Sequence, residues 1–212
     1  MPVQLDPARI RGILAAFDFR KLFIEELGWD RAGSQIDIDV NGRTFTLTPV
    51  AQKRGMVVFH CASGADESVP EAWMRRTIER KVARQVHEHL IIHTNKKGTI
   101  QTWQWVRRER GKPLACREYT YHVGQPGDSI IQKLQSLAFG LDEEEELTLF
   151  DITGRVGKAF DVERVTKRFY DRFKTEHASF LKSIDGIAYA EMGRWYASVM
   201  LNRLMFIYFI QK

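Results

Sequence analysis

The chain has 212 residues, 44% of them hydrophobic and 11% aromatic, which is enough to pack a core and too much for a disordered chain. Two cysteines, Cys61 and Cys116, exclude a disulfide framework and a zinc knuckle, and no apolar run approaches the roughly 20 residues needed to span a bilayer. The opening residues, Met1 to Asp6, lack the basic and apolar stretches of a signal peptide, so the expected setting is the cytoplasm with no membrane partner.

Net charge is +5 and the pI about 9.2, and the charge is unevenly spread. Between Arg75 and Arg117 stand twelve Lys or Arg and three Glu, whereas Asp142 to Glu146 is a run of five acids. A basic middle suits a polyanion that releases counterions on binding, and it equally suits a solvated helix face and a charged hairpin.

In chain order, Pro7 to Leu27 reads as one helix, its apolar residues Ile10, Ile13, Leu14, Phe17, Leu22, Phe23 and Leu27 ended by Gly28. Gln35 to Val40 and Thr44 to Val50 alternate around Asn41-Gly42, a strong hairpin signal. Met56 to Cys61 reads as a buried strand and Glu71 to His89 as a helix. That helix has an apolar line of Trp73, Ile78, Val82 and Val86 and carries Arg75, Arg76, Arg80, Lys81 and Arg84 on its other faces. Strands follow at Leu90 to Thr94, Ile100 to Arg107 and Ala115 to His122, with a turn at Asn95 to Gly98. After Gly124 the pattern turns helical: a helix from Asp128, a connector from Asp151 to Gly157, a helix from Asp161 to Ile184 and a last helix from about Glu191.

This order predicts an α/β (α+β) protein: a mixed sheet flanked by helices over residues 1–125, then an all-helical connector over 126–212. Because Trp195 to Lys212 stays apolar almost to its end, the chain is expected to continue into a further domain.

Several chemistries lack their motifs. There is no phosphate-binding glycine loop, no nucleophile elbow and no dinucleotide fingerprint. His87, His89 and His93 do not have usual metal-ligand spacing and read as local hydrogen-bonding residues. Trp103-Gln104-Trp105-Val106-Arg107-Arg108 interleaves aromatic, amide and guanidinium groups that suit bases and phosphates, although alternation also places both tryptophans in a core. Lys96, Lys97, Arg107, Arg108, Arg110 and Lys112 are the candidate contacts to double-stranded DNA.

Three segments carry a resemblance: Phe17 to Trp29 (FDFRKLFIEELGW), His87 to Ile92 (HEHLII) with Thr102 to Glu109 (TWQWVRRE), and Trp195 to Gln211 (WYASVMLNRLMFIYFIQ). Together they resemble the N-terminal region of large bacterial adenine-specific DNA methylases of the type IIG restriction–modification class. The resemblance implies a restriction-nuclease-like domain and a helical connector. It further implies a methyltransferase domain of the same chain, using S-adenosylmethionine, beyond Lys212.

A metal-dependent nuclease needs carboxylates to hold Mg2+ beside the scissile phosphate and a lysine to orient the attacking water. In the common restriction-nuclease core these are a Glu on the first helix, an Asp on a following strand and a (D/E)-x-K on the next. Glu26 and Asp39 are the candidate catalytic metal ligands. Gln52 and Lys53, in Gln52-Lys53-Arg54, are weak stand-ins where the third motif should be. Asp37 and Asp39 read more readily as the solvent face of an amphipathic hairpin. Two further readings stand beside the nuclease: a degenerate module that docks DNA or a subunit without cutting, and a structural cap over the apolar helix Trp195 to Ile210.

Overall fold

Asp6 accepts hydrogen bonds from the backbone N–H groups of Ala8 (2.9 Å) and Arg9 (3.5 Å), and Pro7 fills the first turn, so α1 (Pro7–Ala15) starts where both signals place it. The computed structural model describes residues 4–63, 67–108, 111, 113–160, 163–187 and 189–211. The single helix expected over Pro7 to Leu27 is broken. Phe17 takes a left-handed φ of 56°, and Asp18 recaps the chain by accepting from the Lys21 N–H at 3.1 Å. A short turn, α2 (Phe19–Lys21), then widens into a π-helical turn, Leu22–Glu26. Phe19, Leu22, Phe23 and Leu27 are thereby all buried. Gly28 ends the segment at φ 70°. A Cβ there would stand 2.4 Å from the Phe139 carbonyl oxygen, so only glycine fits.

Six strands form one sheet in sequence order: β1 (Ile36–Val40), β2 (Arg43–Lys53), β3 (Met56–Ala62), β4 (His89–Thr94), β5 (Ile100–Arg107) and β6 (Ala115–His122). Neighbours are antiparallel except β3 and β4, which run parallel because α3 (Ala72–Val82) crosses between them. The hairpin expected at Asn41-Gly42 forms, both residues at positive φ (53° and 77°), and Arg54-Gly55 repeats the device (48° and 94°). Pro49 marks a register shift in β2, where a missing N–H is tolerated. α3 is shorter than the expected Glu71 to His89, because residues 83–88 leave the helix and His89 already pairs with Val57 in the sheet.

Both sheet faces are covered. On the first lie Met56, Val58, Leu90, Ile92, Trp103 and Trp105, packed in one core with residues of α1, the Phe19–Glu26 turns, α4 (Asp128–Gln135) and α5 (Leu149–Phe160). Gly157 of α5 lies against the Trp105 ring. On the second, Ile38, Val40, Phe45, Leu47, Phe59, Cys61 and Ile91 meet Ile78 and Val82 of α3. The protein is therefore of the α/β class, a mixed sheet between helical layers. The expected connector at Asp151 to Gly157 is instead the body of α5. Thr148 and Asp151 cap its start reciprocally, the Thr148 N–H donating to Asp151 at 3.0 Å and the Asp151 N–H to the Thr148 hydroxyl at 3.3 Å.

The first compact unit runs on past residue 125 to Asp161, and the second is Val162–Lys212. In the second, α6 (Glu163–Lys182) and α7 (Ala190–Ile210) pair, with His177 within 3.0 Å of the Ser198 hydroxyl and Gly193 against Leu181. Trp195, Phe206 and Tyr208 of α7 are exposed. Among the described residues, no helix is long and apolar enough to cross a membrane.

Candidate functional site

Polar side chains gather on the second face of the sheet, where alternation in β4, β5 and β6 aims His89, His93, Thr102, Gln104, Cys116, Glu118 and Thr120 toward the layer of α3. The strand register sets His93 opposite Thr102 and Gln104 opposite Glu118. The groups form a connected chain. Arg75 of α3 forks onto Glu118 (Nε 3.1 Å, Nη2 2.5 Å), and Glu118 accepts from the Gln104 amide nitrogen at 3.1 Å. With its NH2 so engaged, Gln104 turns its Oε1 to His93 Nε2, 3.1 Å away. That places the proton of His93 on Nε2 and leaves Nδ1 buried without a hydrogen-bond partner. Burial pushes the His93 pKa down to about 3, so the ring is neutral.

A second buried group sits at the other end of α3. Arg108 donates to Glu79, both side chains less than a tenth exposed, and His89 Nε2 lies 3.6 Å from the same Glu79 oxygen. Burial again dominates at His89, lowering its pKa to about 4. Next to Gln104, Cys116 is held above the usual thiol range, chiefly by burial, so it is not a thiolate nucleophile at neutral pH.

The charges of α3 divide by direction. Arg75, Glu79 and Lys81 are spent on the protein itself: Arg75 on Glu118, Glu79 on Arg108, and Lys81 on the Asp39 carbonyl oxygen at 2.5 Å. Arg76, Arg80 and Arg84 are exposed and form no ion pair or hydrogen bond among the described residues. Trp73, 47% exposed, heads the same outer face, its indole N–H donating to Glu71 at 2.7 Å.

The four nuclease candidates fall in different places. Glu26 sits in the π-helical turn and pairs with Arg9 at 2.6 Å. Asp39 lies on β1 opposite Thr44 and accepts from the Gly42 N–H at 3.2 Å. Lys53 stands nine residues further along β2 than Thr44, about 30 Å of strand away at roughly 3.3 Å per residue, so Asp39 and Lys53 are not brought together. Gln52 is exposed and exchanges backbone hydrogen bonds with Asp30 (2.8 and 2.9 Å). The Lys53 ammonium is buried and meets Asp30 at 3.3 Å and Glu144 at 2.5 Å. Its two carboxylates are thus residues that motif spacing does not single out. Among the described residues, no group of three or more His, Cys, Asp or Glu is placed to hold a metal ion.

Of the candidate DNA contacts, Lys96 is exposed at the turn after β4, while Lys97 pairs with Glu67 at 3.0 Å. Arg107 is half-buried at the end of β5, and Arg108 is committed to Glu79. Arg110 and Lys112 lie outside the described residues. The outward arginines of α3 are, like Lys96, exposed, whereas Lys97 and Arg108 are paired. The signal of these arginines was present in the sequence, in the basic face opposite Ile78 and Val82, but only the structure separates them from Arg75 and Lys81. Comparison with protein-family models, with curated proteins and with solved structures finds no match to this chain.

Proposed function

We propose that this chain is a non-cleaving DNA-docking module of a bacterial restriction–modification protein, working beside an adenine methyltransferase domain of the same polypeptide. The observation that carries the non-cleaving half is the dispersal of Glu26, Asp39 and Lys53, since metal-assisted phosphodiester hydrolysis needs its carboxylates and lysine around one scissile phosphate. Lys53 is instead paired with two carboxylates of its own protein, Asp30 and Glu144. The order of elements (helix, three antiparallel strands, crossover helix, parallel strand) agrees with ancestry in a restriction-nuclease core, which is where the segment resemblance also points. Docking is supported by a net charge of +5 and by the outward arginines of α3.

Incubation of the 212-residue chain with supercoiled plasmid and Mg2+ or Mn2+ tests this. The expected result is retarded migration that salt reverses, with the plasmid left intact. Metal-dependent nicking overturns the reading, and loss of that nicking in Asp30→Asn or Glu144→Gln would place a nuclease site at Lys53.

A further inference from the structure

We infer that the outer face of α3, built on Arg76, Arg80 and Arg84 with Trp73 at its head, is the surface that grips the phosphate backbone of duplex DNA; this rests on the docking reading above.

The helix geometry makes the face. At about 100° per residue, Trp73, Arg76 and Arg80 fall within about 60° of one another, on the side opposite Ile78 and Val82. Arg84 is exposed in the turn that follows Val82. The Arg76 and Arg80 positions, four residues apart within α3, are stepped by about 6 Å along the axis, and Arg84 follows in the turn beyond its end. A DNA strand presents a phosphate about every 3.4 Å of axis, so two guanidinium groups about 6 Å apart can reach phosphates within about two steps of each other on one strand.

Two features separate this row from an ordinary solvated helix face. First, no carboxylate within α3 shares it: Glu79 is buried on Arg108, and the one acid beside the row is Glu71, before the helix, which accepts from the Trp73 indole at its head. An ordinary surface helix interleaves acids at i+3 or i+4, which would neutralise the row. Second, the helix is fixed from beneath by three separate polar ties, Arg75 to Glu118, Glu79 to Arg108 and Lys81 to the Asp39 carbonyl, in addition to its apolar contacts. The row is presented by a rigid support, which suits a polyanion with regular charge spacing better than an irregular acidic protein surface.

The test measures binding of the 212-residue chain to a short fluorescently labelled duplex from about 50 to 200 mM salt. Each phosphate contact contributes about 0.9 to the slope of log affinity against log salt, so Arg76→Gln/Arg80→Gln/Arg84→Gln should flatten the slope by about 2.7. That makes the affinity loss over this salt range about 40-fold smaller than in the parent chain. Arg20→Gln/Lys21→Gln, exposed cations on α2, should leave the slope within error. Because the three arginines form no hydrogen bond or ion pair among the described residues, the triple variant should melt with the parent, and Arg76→Lys/Arg80→Lys/Arg84→Lys should restore the slope. An unchanged slope in the Gln variant overturns the inference while the docking reading stands, and so does equal flattening in the α2 control. A stronger effect on single-stranded RNA or on heparin than on duplex DNA overturns the choice of partner. No duplex binding by the parent chain overturns the docking reading itself, and the inference with it.

Discussion

At Lys53 a buried ammonium meets Asp30 at 3.3 Å and Glu144 at 2.5 Å, while Arg54 donates to the Glu144 backbone oxygen and Arg155 holds Glu143. Part of the acidic run Asp142 to Glu146 is therefore tied down, with Glu144 held below the usual carboxylate range by its Lys53 hydrogen bond. The two acids are partly exposed and lose little by returning to water, whereas the lysine is buried and cannot. Removing the partners should therefore hurt more than removing the lysine. Asp30→Asn/Glu144→Gln, which strands a buried charge, is expected to lower the urea midpoint more than Lys53→Met, which keeps the stem. The reverse order would show that the carboxylates hold no buried charge. Nothing in the string Gln52-Lys53-Arg54 discloses this, because both partners come from distant parts of the chain.

At the scale of elements, much was legible where the signal is local. Asn41-Gly42 set the first hairpin, alternation set β5 with Trp103 and Trp105 on one buried face, and β6 runs over the expected residues. Elements whose bounds depend on tertiary contact were misjudged. The left-handed turn at Phe17 interrupts a sound helical pattern, because the break lets Phe19, Phe23 and Trp103 meet at ring distances of 6.0 Å. α5 was overlooked although Thr148 and Asp151 have capping-box spacing, since Gly154 and Gly157 weaken the helical reading and Gly157 is there to admit Trp105. The candidate site was legible only in part: the arginines of α3 were visible as a basic face, but which were spent on Glu118 and which were free depended on the register of β6. Two of the segments behind the family resemblance supply Phe19, Phe23, Trp29, Ile92 and Trp103 to the core. Those segments therefore speak to packing more than to chemistry.

For the molecule as a whole, two buried neutral histidines set the response to acid. His89, beside Glu79 and His87, and His93, hydrogen-bonded to Gln104 with Arg75 and His60 nearby, are held near 4 and 3, against 6.5 for an exposed imidazole. The unfolded chain takes up these protons first, so stability is full above about 6.5 and declines as pH falls toward the folded values. The decline is expected to reach several kcal/mol. Urea midpoints between pH 7 and 5 should drop steeply in the parent chain and less steeply in His89→Gln/His93→Gln. Parallel curves would assign the acid sensitivity to other groups. The sheet as a whole also ends somewhere, and β1 is one of its two margins. That strand is five residues long and sets exposed Asp37 and Asp39 at alternate positions. A second chain adding itself there would bring its own aspartates alongside them, so like charges oppose the growth of one molecule's sheet into the next. Asp37→Val/Asp39→Val should keep the fold by circular dichroism yet scatter light at lower temperature and concentration than the parent. Asp39, first considered as a metal ligand, would then act with Asp37 as a guard that keeps one molecule's sheet from becoming the seed of a fibre.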